Sequence, residues 1–124
     1  MELNPEKDLE IDIGDLTSEF KRFPLLMYRY SQHRANIDTK RDTAKARLKE
    51  VRALSYKRIK SDPSVKHTEK SLESEIDTDP LVIEAQMKVI RADHDAETWA
   101  GAVEAMRSKK DVLIQLGSDR RKEM

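Results

Sequence analysis

The chain has no cysteine, and only three glycines among its 124 residues. The lack of cysteine excludes a disulfide framework and a thiolate metal site. The glycines, Gly14, Gly101 and Gly117, stand too far apart for a P-loop or a G-x-G-x-x-G turn, both of which cluster glycines so that backbone N–H groups reach phosphate. Aromatic residues make up 5% of the chain, and turn residues are too sparse to punctuate a many-stranded sheet every ~8–12 residues. No apolar run approaches the ~20 residues needed to cross a bilayer. The acidic start, Met1 to Glu10, is unlike a signal peptide. A soluble, cytoplasmic protein without a membrane partner is the expectation. Catalytic patterns are missing too. No H-E-x-x-H occurs, His33, His67 and His94 are isolated, and Asp93-His94-Asp95 on a helix would point three side chains in divergent directions. Each histidine reads as a surface residue, and no enzyme activity, cofactor or metal is expected.

What is abundant is charge. Asp, Glu, Lys and Arg make up 39% of the residues, with equal numbers of each sign and a net charge of zero. The placement is uneven: residues 20–60 hold thirteen Lys or Arg against three acids, and residues 61–104 hold eleven acids against four bases. Residues 1–19 carry seven acids and one base, and residues 105–124 carry six bases and three acids. A neutral balance therefore hides a strongly basic segment, and segmental charge is the quantity that bears on partners.

With 37% apolar residues and few turn residues, the chain reads as long helices. Residues 1–14, with Leu3, Leu9, Ile11 and Ile13 as their only apolar side chains, are expected to form a flexible acidic arm. Residues 15–121 read as a single helical domain and residues 122–124 as a basic tail end. From Leu16 the apolar positions follow a four-three spacing through Phe20, Phe23, Met27, Tyr30, Ile37, Ala44, Leu48 and Val51, with Arg34 and Arg41 at intervening seam positions. Pro24 predicts a short helix from about Asp15, a kink, and a long helix onward to Lys60. Ser61-Asp62-Pro63-Ser64 is turn chemistry, and a short helix follows within residues 65–78, anchored by Val65, Leu72 and Ile76. Asp79 before Pro80 is an N-cap followed by proline at the first helical position. Val82, Ala85, Val89, Ala92, Ala96, Trp99, Val103 and Met106 then step three-four, Lys110 interrupts, and Leu113 resumes. Gly117 is expected to close that helix as its C′ residue, with Arg120, Arg121 and Lys122 beyond it.

The expected fold is all-α: a long antiparallel helical hairpin with a short connecting helix. One narrow seam leaves Leu25, Leu26, Tyr28, Ile83, Met87 and Ile90 uncovered, which predicts a homo-oligomer larger than a dimer. Val82, Val89, Ala96, Trp99, Val103 and Met106 are its candidate seam.

The basic helix carries the functional signal. At about 100° per residue, Arg34, Arg41, Lys45, Lys49, Arg52, Tyr56 and Lys60 fall within an arc of about 100°, a stripe about 39 Å long. Arg47, Lys57 and Arg58 add charge outside the arc. Such a stripe suits a single-stranded nucleic-acid backbone, bound without sequence preference, with Tyr56 available to stack on a base. The competing reading is a coiled-coil structural or assembly adaptor that binds protein only, its lysines and arginines paired with acids such as Glu84, Asp93, Asp95, Glu97 and Glu104. Against that, residues 43–60 hold seven bases and one acid, whereas a merely solvated face interleaves both signs.

Tyr28-Arg29-Tyr30-Ser31, Ala44-Lys45-Ala46-Arg47-Leu48, Thr68-Glu69-Lys70-Ser71 leading to Asp79, and the stretch from Ala102 to Leu116 with Arg107-Ser108-Lys109 carry a resemblance. In order and spacing over residues 20–121 they resemble the UvsY-type recombination mediators of tailed phages. The resemblance implies an all-helical, ring-forming homo-oligomer that binds single-stranded DNA. It also implies a protein that helps a phage RecA-like recombinase displace single-strand-binding protein, in the cytoplasm of the host cell. Lys45 and Arg47 match the family's DNA-contacting Lys-Ala-Arg-Leu element. There the leucine precedes an acid and a pair of aromatics, whereas here Leu48 precedes Lys49-Glu50-Val51 and the nearest aromatic is Tyr56.

Overall fold

A computed structural model describes residues 2–63 and 67–123. Among them are α1 (Pro5–Asp8), a 3-10 turn (Ile13–Asp15), α2 (Leu16–Lys60), α3 (Glu69–Thr78) and α4 (Pro80–Glu123), with no strand. The helical domain expected over residues 15–121 divides into two compact units. Unit 1 is Met1–Asn36 with Glu97–Met124, and unit 2 is Ile37–Ala96. Val65, expected as an anchor, and Met124 of the expected tail lie outside the described residues.

In unit 1 the start of α2 packs antiparallel on the end of α4, Phe20 lying beside Gly117 and Tyr30 beside Trp99. Leu16, Phe23, Tyr30, Val103, Met106 and Leu113 are buried together. The arm expected to be flexible is part of this packing. Asn4 caps α1, accepting a hydrogen bond from the Lys7 N–H, with Pro5 in the first turn. Leu3, Leu9 and Ile11 rest against the core. Polar groups supply what so few apolar side chains cannot: the Tyr30 hydroxyl donates to Asp8 at 2.6 Å, and Lys109 Nζ donates to the carbonyls of Asp8 at 2.7 Å and Glu10 at 2.9 Å.

Lys109 also pairs with Glu19 at 2.9 Å, both side chains being about 95% or more buried. The interruption of the α4 seam therefore falls on Lys109, and Lys110 is exposed. On α2 the seam position goes to Glu19, leaving Phe20 42% exposed. A buried carboxylate is tolerable only with such compensation, because an unpaired ion loses several kcal/mol of hydration. Arg22 at 2.6 Å and the Asp12 N–H at 3.5 Å complete its shell. Burial pushes the Glu19 carboxyl up, but the bond and charge of Lys109, with those donors, outweigh it and hold it below the usual glutamate value.

Three expectations are corrected. Helix α2 runs through Pro24 without a break. Pro24 faces solvent, so water can satisfy the Phe20 carbonyl that the missing proline N–H leaves free. Gly117 does not end α4: a Cβ there would meet the Phe20 ring at 3.2 Å, so glycine admits the ring, and the helix continues to Glu123. Arg120, Arg121 and Lys122 then sit in the last turn, where positive charge complements the helix dipole. The candidate oligomer seam is the third. Val82, Val89, Ala96, Val103 and Met106 are buried within the chain's own units, and Trp99 is half-buried against Tyr30 and His33. They pack within the chain itself, whereas Leu25, Tyr28, Ile83, Met87 and Ile90 remain exposed.

Gly101 lies exposed inside α4, and a Cβ there would meet nothing within 4 Å. Gly101→Ala is expected to raise stability by about 1 kcal/mol, the helix-propensity gap between the two residues. A urea midpoint at or below that of the parent protein would show that an unseen contact requires the glycine.

Candidate nucleic-acid interface

In unit 2 the later part of α2 packs on α3 and the start of α4, burying Val51, Leu72, Ile76, Val82 and Ala85 together. The antiparallel order is shown by Lys45, which pairs with Asp93, and Ser55, which donates to Asp79 at 2.6 Å. Helix α3 begins with a capping box in which Thr68 and Ser71 exchange side-chain and backbone bonds.

Asp79 is the N-cap that the sequence predicts, accepting from the Leu81 N–H at 3.0 Å. It does more. The residue is buried, it ends α3, and its other carboxyl oxygen accepts from Ser55 and Arg58 of α2. The Ser55 bond first, then the Leu81 N–H and the Arg58 charge, hold this carboxyl below the usual aspartate value against the cost of burial. Ser55 was legible as the seam step after Val51, but a polar side chain there carries no apolar signal.

The candidate cations divide into three kinds. Lys45, Arg52 and Arg58 pair across to Asp93 (3.6 Å), Asp77 (2.8 Å) and Asp79 respectively. Arg41 is shared between Asp38 and Asp42, and Arg47 meets Glu50 at 3.0 Å, all on α2 itself. Lys49 and Lys57 are exposed, and among the described residues neither makes a salt bridge. Arg34, the first member of the stripe, belongs to unit 1 and is half-buried.

Magnitudes decide how far this pairing neutralises the face. Exposed pairs are worth about 0–1 kcal/mol and weaken with salt, so Lys45 and Arg52, both well exposed along with their partners, can exchange a carboxylate for a phosphate. Arg58 is different, because Asp79 is buried. It serves the fold first.

Tyr56 is 39% exposed. Its hydroxyl accepts from Lys60 Nζ at 2.8 Å, and the same ammonium lies 5.1 Å from the ring centroid. A base stacking on that face has to displace Lys60. Beside the ring lies a cleft of about 540 Å³ that also takes in Arg52, His67, Leu72 and the carboxylates of Glu69 and Glu73.

The histidines do not all sit on the surface. His67 is 10% exposed, its Nδ1 3.2 Å from Glu75, and among the described residues its Nε2 has no hydrogen-bond partner. His33 packs edge-on to Trp99 with ring centroids 4.1 Å apart, and His94 is exposed. Among the described residues no cluster of His, Asp or Glu is arranged to hold a metal ion, and no helix is long and apolar enough to cross a membrane. No protein-family model, curated protein or solved structure matches the chain.

Proposed function

We propose that this is a non-enzymatic protein that binds single-stranded DNA without sequence preference through the basic side of α2 in unit 2. We further propose that it acts as a recombination mediator, promoting the loading of a RecA-like recombinase onto DNA coated with single-strand-binding protein. One observation carries the binding step. Seven bases face one acid over residues 43–60, and there Lys49 and Lys57 are exposed and, among the described residues, make no salt bridge, beside Lys45 and Arg52, which are held only by weak exposed pairs. The mediator step rests on the sequence resemblance. Assembly into a ring belongs to the same proposal, with Ile83, Met87 and Ile90 as its available apolar surface.

The adaptor reading keeps one observation in its favour: acids of α3, α4 and their junction engage Lys45, Arg52 and Arg58. Fluorescence anisotropy with labelled oligonucleotides of unlike sequence separates the two. Binding is expected to be similar for all sequences and to weaken steeply with salt. Lys49→Ala with Lys57→Ala, two positions outside the ion pairs described above, should weaken all sequences alike and flatten the logarithmic salt slope by about 0.7 per lost contact. Absence of binding by the parent protein at low salt leaves the adaptor.

A further inference from the structure

Unit 1 holds its own N-terminal arm the way a protein holds a peptide. Recognition is directed at the arm's main chain and at one carboxylate: Lys109 grips the carbonyls of Asp8 and Glu10, Tyr30 donates to the Asp8 carboxylate, and the Glu19 carboxylate accepts from the Asp12 N–H. None of these contacts depends on the arm being joined to α2. An acidic segment of any chain with apolar residues at the same spacing offers the same groups.

The resident does not fill its seat. A cavity of about 300 Å³ lies beside residues 7–12 against Glu19, Arg22, Phe23 and Lys109. A second, of about 440 Å³, lies beside Leu3 against Arg29, His33 and Trp99. Leu3, Leu9 and Ile11 are each only partly buried. Three half-buried anchors, a one-turn helix and a handful of polar bonds hold the segment, against the fully buried side chains of the core, so it opens more readily than the core does.

Charge names the occupant. The cations lining the seat, Lys109, Arg22 and Arg29, outnumber the Glu19 carboxylate beside them and face an arm that carries five acids and one base over residues 1–14. We propose that this groove is a docking site for an acidic, apolar-spaced segment of a partner protein, with the N-terminal arm as a built-in competitor that must lift first. The site lies in unit 1 and stands independently of DNA binding by unit 2.

The test uses the full chain and, as probe, a fluorescent synthetic peptide with the sequence of residues 2–13, followed by anisotropy. The arm-weakened variant Leu9→Ser with Ile11→Ser should bind this peptide at least tenfold more tightly than the parent protein, whose own arm competes. A peptide carrying phenylalanine in place of Leu3 and Ile11 should bind more tightly still, because it fills the two cavities. Adding Tyr30→Phe to the arm-weakened protein should reduce affinity about tenfold or more, and this change leaves the Lys109–Glu19 pair intact, so folding is preserved. Equal peptide affinity for parent and arm-weakened proteins overturns the proposal. So does a fall in the parent's mass by light scattering when excess peptide is added, since that result identifies a second copy's arm as the occupant.

Discussion

With methionine in place of Lys109, unit 1 is expected to lose about 3–5 kcal/mol, the cost of leaving a buried carboxylate without its partner. Against a usual domain stability of about 5–15 kcal/mol, that is enough to approach unfolding. Glu19 would keep only Arg22 and the Asp12 N–H, and the Asp8 and Glu10 carbonyls would lose their donor. Pairing Lys109→Met with Glu19→Leu should recover more than half of the loss, because an apolar pair of similar volume needs no compensation. Acid provides a second check. The folded-state carboxyl of Glu19 lies below its ordinary value, so its stabilisation is present at neutral pH and is lost as pH falls below about 4.5 toward the folded value. The Glu19→Leu, Lys109→Met protein should lose less stability than the parent over that range. A single Lys109→Met variant with the parent's urea midpoint would mean that the pair is not buried in solution.

Tyr30→Ala is expected to cost about 3–5 kcal/mol, as for other large aromatics removed from a core. The residue has no exposed surface, and its ring packs 6.1 Å from that of Trp99. Tyr30→Phe separates the two contributions. It keeps the ring and deletes only the bond to the Asp8 carboxylate, a charged hydrogen bond worth about 1.5–3 kcal/mol. Burial first, and then Asp8, raise the Tyr30 hydroxyl above its ordinary value, so it remains a donor at any ordinary pH. Trp99 is the sole tryptophan and lies in unit 1, so its emission in urea reports that unit while far-ultraviolet circular dichroism reports all helices. For both variants the emission transition should move to lower urea. If Tyr30→Ala leaves it in place, the core order described for unit 1 is wrong.

The long helices were legible because their seams are regular. Leu16, Phe23, Tyr30 and Val51 on α2, and the series from Val82 to Met106 on α4, gave both elements and the faces that now pack. The polar insertions were not read, for a physical reason: periodicity counts apolar side chains, and Glu19, Ser55 and Lys109 occupy seam positions without being apolar. A signal was nonetheless present. Glu19 stands three residues after Leu16 and four before Phe23, inside the stripe, and two lysines occupy the two positions where the α4 series could step from Met106. The arm was misjudged because its order depends on Tyr30 and Lys109, donors that lie 22 and about 100 residues away in sequence. At the basic face, placement and sign were readable, but the pairing of Lys45 with Asp93 and Arg52 with Asp77 required the packed helices. That shifts the informative substitutions to Lys49 and Lys57.

Asp79 is the only residue between α3 and α4, which sets how this region tolerates changes of chain length. One added residue on either side of it would turn α4 by about 100° relative to α3. Val82, Ala85 and Val89 would then face away from α2, and the carboxylate would part from either the Leu81 N–H or the Ser55 hydroxyl. An insertion between Lys60 and Glu69 leaves the α4 cap and its register untouched. The two connections of unit 2 thus differ in what a change of length does to α4: in one it leaves the cap in place, and in the other it breaks the count.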